Sequence, residues 1–213
     1  MRKYSRAGIL VGLLLLPALL FAQFNNNTSS PFSRYGLGEL HSYSFGRSTA
    51  MGGASIASRN GQQINLANPA SYSAIDSLGF MFEFGIDSKA SKFKNDIGSS
   101  FQTDANFQYF AMNFQISNTF GTSLGLTPFS DVGYNVVLNQ NIENTGDVIT
   151  TYYGAGTISK AFWGLAFEPW KYVSVGANLN YFFGMLNRNA EVVFLGASDF
   201  YTIQQYKSLR VSD

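Results

Sequence analysis

The sequence predicts an all-β protein, a transmembrane antiparallel β-barrel with an N-terminal plug, and three observations lead to this fold class. The first residues have the pattern of an export signal, the composition is aromatic and poor in charge, and apolar residues alternate with polar or small ones along the second half. Aromatic residues are 16% of the chain and charged residues 13%, whereas an ordinary soluble domain is about 25% charged. The net charge of +1 gives no reason to expect nucleic acid as a partner.

Residues 1–22 are predicted to be a signal peptide. A basic start is followed by an apolar stretch over residues 8–21 and by Ala22, a small residue at the expected cleavage point. The basic residues are Arg2, Lys3 and Arg6. An uncleaved membrane anchor is the alternative, but the apolar stretch is short for a spanning helix. The chain has no cysteine for a lipid anchor or a disulfide. We therefore expect export through the periplasm to the bacterial outer membrane, entered as strands.

Residues 23–76 are predicted to form a leader and a luminal hatch. The segment bends often because it is rich in glycine. It also carries more apolar residues, among them Phe32, Phe45 and Ile64, than a disordered periplasmic leader would leave in water. We therefore expect it to pack inside the barrel lumen.

Residues 77–213 are predicted to be the first strands of the barrel. The clearest signal is a hairpin in which the odd positions from Val173 to Phe183 are apolar and the even positions are polar or small. The strand before it has Ala161, Trp163, Leu165 and Phe167 on its apolar side, and residues 168–171 form the turn. Other strands are predicted at 78–87, 106–116, 120–138, 148–167 and 200–211, with polar loops at 87–104 and 141–147. The apolar side of each strand should face lipid and the other side the lumen.

The third strand contains a proline that leaves two interpretations open. Proline removes a donor from the strand ladder, so the barrel wall must bend or gap near Pro128, Phe129 and Gly133. Alternatively, residues 128–131 are a plain turn between two separate short strands.

The lumen side of the strands carries Glu83, Asp87 and Lys160, which could tune permeation but are by default solvated. No catalytic constellation is apparent, because His41 is the only histidine and is expected to be a packing residue in the plug. One histidine and no cysteine give no ordinary zinc site, and we expect neither a cofactor nor enzymatic activity.

A hatch motif resembles a known family. Residues 47–72 combine a small-residue turn at Gly52 and Gly53 with the element Asn68-Pro69-Ala70. This arrangement resembles the hatch of FadL/TodX-type outer-membrane proteins, and residues 30–38 look like the Bacteroidetes version of that family. Asn68, Pro69 and Ala70 in their Gly/Ala-rich setting are the specific part of the resemblance.

The resemblance implies a barrel of about 14 strands, of which this chain supplies the first five or six. It also implies passive transport of hydrophobic compounds such as long-chain fatty acids, past the plug and through a lateral opening in the wall. The alternative is a non-transporting accessory or scaffold barrel in an outer-membrane secretion or assembly complex. A third interpretation is a small structural barrel of eight strands. The chain is expected to be the N-terminal part of a longer barrel or a protomer completed by another chain.

Overall fold

The structure of the protein is a computed structural model that describes residues 27–42, 44–75, 79–94, 98–143, 146–194 and 202–213. The predicted signal peptide lies outside the described residues. None of the helices in these ranges has the length and apolar character needed to cross a membrane.

The described residues form one antiparallel sheet and a leader of short elements. The leader contains two 3-10 helices, Pro31–Arg34 and Pro69–Ala74, together with strand β1 (Glu39–Leu40) and helix α1 (Gly46–Ala50). The long strands are β2 (Phe80–Lys94), β3 (Ser99–Ser117), β4 (Phe120–Ile142), β5 (Gly146–Trp170), β6 (Val173–Phe194) and β7 (Thr202–Ser212). They lie side by side in chain order, and β1 pairs with β4. The prediction of an all-β antiparallel fold is confirmed at this level.

The alternation of the sequence becomes two chemically different sheet faces. One row of paired residues runs Phe82, Met112, Leu124, Trp163 and Leu179 across five strands. In this row Phe82, Trp163 and Leu179 are 54%, 54% and 70% exposed. We call this side the apolar face. Its side chains are not buried between stacked sheets, as they would be in a soluble sandwich.

The opposite side, the leader face, carries small and polar residues and is covered by residues 27–75, which we call the leader. The neighbouring row there runs Met81, Asn113, Ser123, Gly164 and Asn178. One buried cluster joins leader and sheet, with Phe45, Ile64, Leu66 and Tyr72 from the leader and Tyr109, Ala111, Phe162 and Ala166 from the strands. A second cluster lies farther along the strands around Val132, Tyr134, Ile158 and Leu186.

The strands are longer than the alternation predicted. The expected loop at 87–104 is wrong, because β2 and β3 stay paired until Lys94 meets Ser99. The expected loop at 141–147 is also too long, since β4 and β5 pair as far as Ile142 and Gly146. The turn expected at 168–171 contracts to Lys171 and Tyr172. Polar residues conceal these strand ends because an antiparallel ladder needs only backbone groups to continue beyond its apolar section.

The Pro128 region is neither a turn nor a regular strand. Strand β4 continues through it, so the interpretation as two separate strands is wrong. A bulge leaves Phe129 as an extra residue, with Pro128 opposite Ser159 and Ser130 opposite Ile158. The ladder between β3 and β4 ends nearby, at Phe110 and Leu126. Beyond this point the two strands separate, and we call the space between them the β3–β4 gap.

Candidate interface between the leader and the sheet

Tyr72 is the centre of the contact between the leader and the sheet. Its side chain is fully buried, and its hydroxyl donates a hydrogen bond to Asn178 Oδ1 at 3.1 Å. Asn113 Nδ2 donates to the Tyr72 carbonyl at 3.2 Å, and Asn178 Nδ2 donates to the Leu66 carbonyl at 3.1 Å. Burial raises the pKa of the Tyr72 hydroxyl, so it remains a donor over the physiological pH range. Side chains of β3 and β6 therefore bind the leader at Tyr72 and at Leu66.

Glycines of the leader face let the backbone of the leader approach. A Cβ at Gly121 would overlap the Tyr72 carbonyl, and one at Gly164 would overlap the Tyr72 ring. A Cβ at Gly176 would overlap the backbone of Pro69 and Ala70. These glycines lie on three neighbouring strands, which makes the sheet surface complementary to the second 3-10 helix.

The predicted hatch residues all lie in the leader, in two separate roles. Gly52 and Gly53 have φ of 68° and 85° and end helix α1, a conformation that L-residues with a side chain rarely adopt. Asn68 precedes the 3-10 helix, and its carbonyl accepts from the Ser71 amide at 3.0 Å. Pro69 and Ala70 pack on Gly176. The Asn-Pro-Ala element is thus a helix start fitted to the sheet.

The β3–β4 gap is filled by the first part of the leader. Glu39 and Leu40 of β1 pair with Asp131 and Ser130 on the free edge of β4. The His41 amide continues this pairing by donating to the Phe129 carbonyl at 3.0 Å. The ladder to β3 ends at Leu126, two residues before Pro128, which has no amide to donate.

Farther along the same edge, Ser33 takes the place of a neighbouring strand. Its hydroxyl accepts from the Gly133 amide at 3.1 Å, and its single proton can go to the Ser30 carbonyl at 2.7 Å or to the Gly133 carbonyl at 3.2 Å. Two of the three predicted wall-kink residues therefore contact the leader directly, Phe129 through its carbonyl and Gly133 through its amide.

An ion pair between the half-buried His41 and the buried Asp131 binds the leader in this gap. Asp131 is 1% exposed, and its Oδ2 lies 2.5 Å from His41 Nε2. Its Oδ1 accepts from Thr157 at 2.6 Å and from Asn27 at 3.1 Å. The hydrogen bond to Asp131 raises the pKa of His41 above its usual 6.5, against the effect of burial. The expectation that His41 only packs is incomplete, because it is also a charge partner.

The predicted lumen residues lie on the leader face. Glu83 Oε1 accepts from the Ile64 amide at 2.6 Å, so it binds the leader backbone. Asp87 lines a polar cavity of about 270 Å³ beside His41 and Asp131. Lys160 is buried and lines a separate cavity of about 260 Å³ next to Asn178 and Asn180. Within the described residues no group of side chains has the composition of a metal site.

Sequence reasoning missed Asp131, Asn178 and the role of Tyr72. His41 and Asp131 are 90 residues apart, and no spacing rule connects them. A signal for Tyr72 did exist, because glycine or another small residue stands at inward positions of three successive strands. Such a run indicates that another backbone lies against the sheet.

A family model described as BamG matches residues 2–212. No curated protein and no solved structure matches the chain. The assignment to the FadL/TodX transport family is therefore wrong. That assignment depended on a small-residue turn and an Asn-Pro-Ala helix start. Both features suit any leader that packs against a glycine-rich sheet, so they do not identify one family. The BamG family is associated with the outer membrane, as the export signal predicted. With the match covering nearly its whole length, the chain belongs to the BamG family.

Proposed function

We propose that this protein is an accessory component of an outer-membrane assembly complex rather than a transporter. The observation that carries the proposal is the BamG match along residues 2–212. Its role would be structural: a rigid outer-membrane wall with an ordered leader that other components of the complex recognise. No catalytic step is part of the proposal.

The proposal includes a barrel with the leader in its lumen. The apolar face supports it, because exposed aromatic and aliphatic side chains on five adjacent strands match a lipid-facing wall. Aromatic pairs such as Phe82 with Phe110 and Phe120 with Phe167 lie on that face. The outer edges of β2 and β7 would be paired within the closed wall, since unpaired backbone groups in lipid cost several kcal/mol each.

The hydrogen bonds between the leader and the sheet favour a scaffold role over transport of hydrophobic compounds. A transport plug must shift, whereas this leader is bonded to β2, β3, β4 and β6 through Glu83, Asn113, Asp131 and Asn178. Polar and charged side chains line the cavity beside the β3–β4 gap, with Leu40 as the one apolar residue. Such a lining is unfavourable for an apolar ligand.

Purification of the tagged full-length protein from its native membrane in mild detergent tests the proposal. We expect outer-membrane assembly proteins to co-purify at a fixed stoichiometry. Depletion of the protein should lower the amounts of other folded outer-membrane barrels. A tagged outer-membrane porin expressed at the same level is the control for non-specific capture.

The opposite outcome is equally measurable. If depletion leaves the other barrels unchanged but slows the uptake of long-chain fatty acids or hydrocarbons, the protein is a transporter. A monomer without stoichiometric partners would also contradict the accessory role.

A further inference from the structure

Three cations converge on the leader face without a carboxylate partner among the described residues. Arg188 of β6 and Lys207 of β7 are directly paired in the sheet. The same row continues to Gly154 on β5 and Tyr134 on β4. Arg34 approaches this row from the first 3-10 helix of the leader, and its guanidinium lies 4.7 Å from the centre of the Tyr152 ring. Like charges directly opposite each other on a sheet are destabilising, so the arrangement calls for a compensating anion.

The cations surround a cavity rather than a packed surface. The cavity has a volume of about 260 Å³ and is lined by Arg34, Tyr134, Tyr152, Arg188, Gln205 and Lys207. Tyr152 and Gln205 belong to the next row on the same face, two residues along their strands. Gly154 leaves room for the Tyr134 ring at the wall of the cavity, since a Cβ there would overlap that ring.

One buried donor of Arg188 has no hydrogen-bond partner among the described residues. Its Nη2 donates to the Gly36 carbonyl of the leader, but its Nε is buried and has no partner among the described residues. A buried donor without an acceptor costs about 1–3 kcal/mol. The nearest carboxylate along β6, Glu191, has the opposite side-chain direction and accepts a hydrogen bond from Gln204.

We propose that this cavity is a binding site for a phosphate group. Arginine presents planar pairs of donors that fit phosphate oxygens, and the tyrosine hydroxyls and Gln205 add neutral donors. Three positive charges match a phosphomonoester, which carries about −1.5 to −2 charges at pH 7, better than a single carboxylate. The phosphate can belong to a soluble sugar phosphate or to a lipid headgroup. The site is independent of the accessory role.

Binding to the full-length protein in detergent tests the site. The probes are inorganic phosphate, glucose 1-phosphate and mixed micelles containing phosphatidic acid, each measured at constant ionic strength by calorimetry or by the shift of the thermal midpoint. We expect saturable binding of at least one probe, weakened about tenfold by Arg34→Gln and by Lys207→Gln, because each loses a charge-assisted hydrogen bond. Lys171→Gln is the matched control, since Lys171 lies at the turn between β5 and β6 and contacts only Tyr172 among the aromatic rings described.

Stability without a ligand separates a binding role from a structural one. Without phosphate, Lys207→Gln should be at least as stable as the wild type because it removes repulsion from Arg188. Binding of glucose 1-phosphate would assign the site to soluble phosphates, and binding only to the micelles with phosphatidic acid would assign it to a headgroup. If no probe binds saturably, or if Lys207→Gln binds as well as Lys171→Gln, the proposal is overturned.

Discussion

Asp131 shows what a single buried charge does in this protein. Its carboxylate accepts hydrogen bonds from His41 and Asn27 of the leader and from Thr157 of β5. The leader, β4 and β5 therefore meet at this residue. A buried charge left without a partner is strongly destabilising, so Asp131 favours the arrangement in which His41 and Asn27 contact it. The ion pair therefore specifies where the leader enters the β3–β4 gap.

Stability should depend on pH through His41. The pKa of His41 is raised in the folded state by Asp131, with smaller contributions from the negative charges of Glu39 and Asp87. The ion pair therefore contributes fully below the unfolded pKa of about 6.5 and is lost as pH rises through the higher folded pKa. His41→Asn should lower the free energy of unfolding by about 2 kcal/mol at acidic pH and by less at alkaline pH.

Thermal midpoints of the two proteins between pH 5 and 9 check this prediction. Thr157→Val is the matched control, because it removes a hydrogen bond to the same carboxylate without removing a titrating group. Its loss of stability should not change as His41 titrates. Parallel pH profiles for the wild type and His41→Asn would show that the ion pair does not form.

At the scale of elements, the leader and the sheet fit through glycines rather than through a large apolar contact. The 3-10 helix Pro69–Ala74 approaches β4, β5 and β6 at Gly121, Gly164 and Gly176. The sequence revealed the small residues but not the element that fills the space above them. Alternation with a period of two predicts which face of a strand carries the small residues. It does not predict which segment packs against that face.

Gly121→Ala should loosen the leader. The added Cβ would overlap the carbonyl and the next amide of the chain at Tyr72, and neither can move as a side chain does. We expect a loss of about 1–3 kcal/mol and faster proteolysis within residues 44–75. The measurement is limited proteolysis together with the thermal midpoint.

Gly98→Ala is the matched control for this variant, since nothing lies within 4 Å of a Cβ at Gly98. If Gly121→Ala and Gly98→Ala are cleaved at the same rate, the leader does not rest on Gly121.

At the scale of the whole molecule, the apolar face decides where the protein can reside. Leu124 is 40% exposed on this face, between Met112 and Trp163 of the neighbouring strands. Arginine on a lipid-facing position near the membrane centre costs about 2–4 kcal/mol. Leu124→Arg should therefore reduce the fraction of protein that folds into the outer membrane, measured in membrane fractions by heat-modifiable migration.

Gln140→Arg provides the comparison on the same strand, because Gln140 is exposed at the polar end of β4. It should assemble like the wild type. If Leu124→Arg also assembles normally, the apolar face does not contact lipid, and the barrel proposal loses its main support.

The sequence by itself determined the all-β class, the exposed apolar face and the small-residue leader face. Export signals and side-chain alternation are local properties of the chain, so they can be read without coordinates. The wrong family assignment also came from a local pattern. An Asn-Pro-Ala turn shows how a segment packs and does not identify a function.

Only the tertiary structure decided that β1 fills the β3–β4 gap, that His41 meets Asp131, and that Arg34 joins Arg188 and Lys207. Each of these contacts connects residues far apart in the chain, and each depends on the strand register and on the bulge at Phe129. Bulges and register are set by the sum of many pairings, so one residue shifted along a strand changes every partner that follows.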